Sequence, residues 1–63
     1  MMESIEKTRR ELGYKQYEFA EMMGMSPSQY SKMKNDKRVL YGFELCNLAI
    51  ALNMKVSTLI KQL

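Results

Sequence analysis

A chain of 63 residues with formal net charge +3, one cysteine and no histidine is narrowly bounded in what it can be. At this length it forms a single domain over 1–63 and buries only about 60% of the surface its unfolded form exposes, so its core is thin. The lack of histidine removes the usual acid–base catalyst and the commonest zinc ligand, and the lone Cys46 has no partner for an internal disulfide.

Apolar residues recur at helical spacing, strand-like alternation is missing, and five short helices are predicted, an all-α fold. The first runs from Met2 to Leu12, with Ile5 and Leu12 as core contacts, and Gly13 takes the left-handed position after its end. The second runs from Gln16 to Met23, with Phe19, Ala20 and Met23 as its apolar stripe and Gly24 as its stop.

The third helix has the clearest start. Ser26 is a good N-cap, Pro27 an ideal first residue, and Gln29 completes a capping box. Met25 and Tyr30 form a hydrophobic staple across that start. Only Tyr30 and Met33 point inward, which leaves Ser28, Ser31 and Lys32 outward. Residues 35–42, "NDKRVLYG", read as a loop. The fourth helix runs from Phe43 to Leu52 with Leu45, Leu48, Ala49 and Leu52 on one face, and Asn53 as its C-cap. Cys46 lies near that face and reads as a small buried hydrophobe. The fifth runs from Val56 to Leu63, apolar at Val56, Leu59, Ile60 and Leu63. The seven methionines read as core filler and disordered ends.

The charge is unevenly placed. Residues 26–38 carry Lys32, Lys34, Asp36, Lys37 and Arg38, a local excess of +3 equal to that of the whole chain. Such a patch suits a polyanion; the plain alternative is a solvated lysine-rich face. No apolar run suits a signal peptide or a membrane span, so a soluble, cytoplasmic protein is expected. No catalytic residue, metal site, cofactor or small-molecule ligand is expected either. There is no clustered carboxylate site and no phosphate-binding glycine loop, and the chain is too short to enclose a pocket.

The segment "QYEFAEMMGMSPSQYSKMKN", Gln16 to Asn35, fits a helix-turn-helix: two helices joined by a short turn at Gly24. With "LAIALNMKVSTLI", 48–60, it resembles the Cro/cI (XRE-like, lambda-repressor-like) family, and the resemblance covers essentially the whole chain. The resemblance implies a compact five-helix domain that binds double-stranded DNA, in a prokaryotic cell or phage-infected host, as a repressor homodimer on a pseudo-palindromic operator. The alternative is an antitoxin-like or adaptor module that reuses the fold to bind protein.

The resemblance also assigns residues. Base-reading positions fall on Pro27, Ser28, Ser31 and Lys32. Lys32 is the best candidate for a guanine edge, with a phosphate as its alternative partner. Phosphate contacts fall on Lys15, Gln16, Lys34, Asn35, Lys37 and Arg38. Gln29 is a brace by its capping position. A dimer contact falls on Met54, Val56, Leu59 and Leu63, with core packing as the alternative. Two positions depart from the family. Arg9 and Lys34 stand where many members pair an arginine with a glutamate, so Arg9 needs another carboxylate, Asp36 being one, or turns to solvent or DNA. Asp36 stands where glycine is frequent; it tolerates the left-handed backbone but adds negative charge.

Overall fold

The computed structural model describes residues 2–63. It contains five helices: α1 (Met2–Leu12), α2 (Gln16–Met23), α3 (Pro27–Lys34), α4 (Gly42–Ala51) and α5 (Val56–Gln62). No strand occurs among the described residues. The expected bounds of α1 and α2 and the start of α3 are met; α4 starts and ends one residue early, and α5 stops one residue short. The disordered end expected at Met1 lies outside the described residues.

The α2 helix is the centre of the assembly, packed against α3 and α4; α1 lies on α3, and α5 on α4. Phe19, Ala20 and Met23 of α2 are fully buried. Around them close Ile5 of α1, Met25, Tyr30 and Met33 of the α3 region, Leu48 and Ala49 of α4, and Leu59 of α5. Ala20 is the small residue that lets helices approach α2. Met23, Met25 and Met33 fill the core, with Met2, Met22 and Met54 packed at its margin.

Four helices end in the same way. A residue in the left-handed conformation follows each, namely Gly13, Gly24, Asp36 and Asn53. The next residue's N–H then reaches back to a carbonyl five positions earlier: Tyr14 to Arg9, Met25 to Ala20, Lys37 to Lys32 and Met54 to Ala49. Each such bond satisfies a carbonyl the helix would leave orphaned. At Gly24 the requirement is also spatial, since a Cβ there would sit 3.3 Å from Asn47 Nδ2. That turn sets the angle between α2 and α3.

Three packing expectations are corrected. Leu12 is 49% exposed rather than core: it sits in the last turn of α1 beside Lys7, Thr8, Glu11 and Gln62, where nothing larger covers it. Cys46 is exposed, because it shares the outer face of α4 with Phe43 and Ile50, at i, i+3 and i+7 spacing. Leu59 is fully buried inside its own chain and offers nothing to a second copy.

Candidate nucleic-acid interface

The start of α3 is built as the sequence dictates. Ser26 Oγ accepts from the Gln29 N–H at 3.1 Å, and Gln29 Oε1 accepts from the Ser26 N–H at 3.1 Å. Two donors of the first turn are thus satisfied within the turn itself. Met25, Tyr30 and Met33 are sunk in the core, whereas Pro27, Ser28, Gln29, Ser31 and Lys32 are all exposed. The outward face of α3 thus carries two free hydroxyls and a lysine, as expected, and Gln29 is occupied with capping.

At the other end, Asn35 Nδ2 donates to the Ser31 carbonyl at 3.0 Å, and Lys37 is exposed on the turn that follows. Lys15 stands just before α2, exposed, with Nζ 6.0 Å from the Tyr17 ring centroid. A lysine has no acceptor to cap a helix; Glu18 supplies one instead, accepting from the Lys15 N–H at 2.8 Å.

Arg38 is tied elsewhere. It forms a two-pronged pair with Glu44, Nη1 to Oε1 at 2.9 Å and Nη2 to Oε2 at 2.7 Å, and Nη1 also donates to the Val39 carbonyl. Its guanidinium lies 5.4 Å from the Tyr41 ring. Glu44 accepts from the Tyr41 N–H as well, at 2.9 Å, and is 1% exposed. Arg38, expected at a phosphate, thus commits three of its five N–H donors to closing the 35–41 loop onto α4. The hydrogen bond from Arg38, with that from Tyr41, holds the Glu44 carboxyl below its ordinary value despite burial.

The most connected polar group belongs to α1. Glu6 is 7% exposed. Its Oε2 accepts from Arg9 Nε at 2.9 Å and from the Tyr30 hydroxyl at 2.6 Å; its Oε1 accepts from Gln16 Nε2 at 2.9 Å. Arg9 Nη1 donates to the Tyr14 carbonyl at 2.6 Å, in the turn leading to Lys15. Burial pushes the Glu6 carboxyl upward, but the hydrogen bonds from Arg9, Tyr30 and Gln16 together hold it below its usual value. Burial and the adjacent carboxylate push the Tyr30 phenol well above its usual range, so it stays a donor.

Arg9 therefore has its carboxylate in Glu6, three residues away on its own helix, and not in Asp36. Arg9 and Lys34 do line one open groove, with Glu6, Gln16, Arg10, Glu3 and Asp36; the pairing of Arg9 with Glu6 offsets the charge of Arg9 there. Glu6 and Glu44 are the two important residues that reading the sequence misses. The i, i+3 spacing of Glu6 and Arg9 is a usable signal; nothing local announces Tyr30, 24 positions further on.

No group of three or more His, Cys, Asp or Glu side chains that could hold a metal occurs among the described residues. No single helix there is long and apolar enough to cross a membrane.

A helix-turn-helix family model, of the XRE type, matches residues 5–59. No curated protein and no solved structure matches the chain. The match runs from within α1 to the middle of α5, and the fold is lambda-repressor-like. The chain belongs to the Cro/cI-like, XRE-type helix-turn-helix family, a family of DNA-binding transcriptional regulators rather than of enzymes.

Proposed function

We propose that this protein is a repressor that binds a pseudo-palindromic operator as a homodimer, α3 lying in the major groove. The observation that carries this is the division of α3: every large apolar side chain is buried, and the outward face holds only Pro27, Ser28, Gln29, Ser31 and Lys32 among exposed residues. Ser28 and Ser31 offer short hydroxyls that serve several bases, Pro27 an apolar contact, and Lys32 donors for guanine O6 and N7. Lys15, Gln16, Lys34, Asn35 and Lys37 grip phosphates on either side, and those contacts supply most of the affinity. Arg38 is left out of this set because Glu44 holds it. Short readers make DNA shape and half-site spacing important for specificity.

The dimer contact is formed by Val56 and Ile60 on α5, with Leu63 just after that helix and Met54 just before it. Ile60 is 50% exposed and the others partly so, whereas Leu59 faces the core. Two copies joined there place their α3 helices about 34 Å apart, in successive major grooves. Such a regulator works in the cytoplasm at the nucleoid, by occluding or recruiting polymerase, with no small-molecule ligand.

The test is binding to random duplex DNA and to the protein's own promoter region across a salt series. Expected are a sequence preference and affinity that falls steeply with salt. Lys32→Ala relaxes the preference, while Lys37→Ala weakens all duplexes alike and flattens the salt dependence. Affinity indifferent to salt and sequence sinks this reading. It would favour an antitoxin-like or adaptor module, for which the exposed Phe43 and Ile50 on α4 are the supporting feature.

A further inference from the structure

The proposed DNA contacts are mostly exposed side chains at the ends of short helices. Gln16 differs. Its side-chain amide is held from behind by Glu6, through Nε2 to Oε1 at 2.9 Å. That bond decides which way the amide faces, since the flipped amide would set two acceptors against each other. It uses one N–H of the amide and leaves the second on the same nitrogen free for a phosphate oxygen. The same carboxylate accepts from the Tyr30 hydroxyl at 2.6 Å, and Tyr30 is 1% exposed on the inner side of α3. Arg9 balances the charge of Glu6 at 2.9 Å and ties the Tyr14 carbonyl at 2.6 Å. One carboxylate thus joins α1, the turn after it, the start of α2 and the middle of α3, and its pairing with Arg9 keeps it from repelling a nearby phosphate.

We propose that Glu6 is a positioning residue for DNA binding: by holding Gln16 and Tyr30 together, it sets the phosphate anchor on α2 and the reading helix α3 in one fixed relation. This rests on the DNA-binding reading given above. Glu6 itself touches no DNA; it acts through Gln16 and through the seating of α3. A carboxylate that only stabilised the fold would contribute nothing to the affinity of the folded protein.

The experiment compares wild type, Glu6→Gln, Tyr30→Phe, Gln16→Ala and the Glu6→Gln/Gln16→Ala double variant. Each binds a duplex recovered by selection from random-sequence DNA, at a temperature where circular dichroism shows that variant folded. Glu6→Gln and Tyr30→Phe each lose about tenfold in affinity, the worth of one charge-assisted hydrogen bond. Gln16→Ala costs less in the Glu6→Gln background than in wild type, because the two act in series. Folded Glu6→Gln that binds as tightly as wild type overturns the proposal while leaving the DNA reading intact. So do losses from Glu6→Gln and Gln16→Ala that simply multiply. Should Glu6→Gln fail to fold, Tyr30→Phe, whose ring still fills the core, decides alone: unchanged affinity overturns the proposal. A wild-type protein that selects no duplex overturns the DNA reading, and this inference with it.

Discussion

Glu6 and Glu44 are both buried carboxylates clasped by an arginine, yet they hold different things together. Glu44 works within a short stretch: Arg38 and the Tyr41 N–H both lie within six residues of it, and the product is a closed loop before α4. Glu6 takes its donors from positions 9, 16 and 30, on three helices. A break at Glu44 loosens a loop; a break at Glu6 separates the elements that form the proposed interface. In a domain of this size, where total stability is roughly 3–9 kcal/mol, that distinction has large consequences.

Tyr30 gives the largest test of the contrast, because it combines the core and the Glu6 cluster. Tyr30→Ala removes a fully enclosed ring and should cost about 3–5 kcal/mol, a large share of the total, read as a much lower midpoint in a urea titration. Tyr30→Phe keeps the ring and loses only the bond to the Glu6 carboxylate, which retains Arg9 and Gln16; its cost should be about 1.5–3 kcal/mol. Equal losses for the two variants would show that the hydroxyl, not the ring, anchors α3.

Next in size is a comparison of Glu6→Ala with Arg38→Ala. The first leaves Arg9, Gln16 and Tyr30 without their shared acceptor and should lower the melting temperature more than the second. Arg38→Ala should instead concentrate its effect in hydrogen exchange, with protection lost mainly over residues 37–44. Protection lost evenly across α1, α2 and α3 in Arg38→Ala would contradict the local role of that clasp.

Acid should act on both clusters at once. The folded Glu6 and Glu44 carboxyls lie below the unfolded value near 4.5, so each contributes stability that is complete above that value. The contribution is lost as pH falls through the folded values, because the unfolded chain binds the protons first. A thermal melt series from pH 6 to pH 2 should therefore show a steep decline below about pH 4.5, shallower in Glu6→Gln and in Glu44→Gln. A decline that begins near pH 6 in wild type would point to some other group.

These two clusters also mark where the sequence was readable. Helix starts and stops were legible because they rest on neighbours: Ser26 with Gln29, Gly24 after Met23, Asn53 after the end of α4. Tyr30 and Met33 were legible as inward by their spacing. Glu6 was not, since helical periodicity counts a glutamate as a surface residue and two of its partners come from other helices. Cys46 and Leu12 failed for the opposite reason. Each is apolar and near an apolar stripe, but whether a stripe is covered depends on what the neighbouring helix brings, and here it brings nothing. On the proposed interface, the sequence shows where the cations cluster along the chain but not their existing ion pairs, as Arg38 with Glu44 shows.

The smallest effect is the most informative about the loop between the clusters. Asp36 holds a φ of 60° at the end of α3, a conformation that costs an ordinary L residue roughly 1–2 kcal/mol and an aspartate less. Asp36→Gly should relieve that strain, offset in part by the greater freedom of glycine in the unfolded chain. The net gain should be a few tenths of a kcal/mol up to about 1. The same change removes a negative charge beside Lys34 and Lys37, where a phosphate is proposed to lie. The two effects separate by salt. A gain in DNA affinity that comes from charge shrinks as ionic strength rises from 0.05 to about 0.3 M, since the exposed groups are screened over distances near 10 Å. A gain that comes from a better-set turn persists. The expectation is a gain that shrinks, alongside a small salt-independent rise in melting temperature. A persistent affinity gain would move the role of residue 36 from the charge of the loop to the geometry of α3.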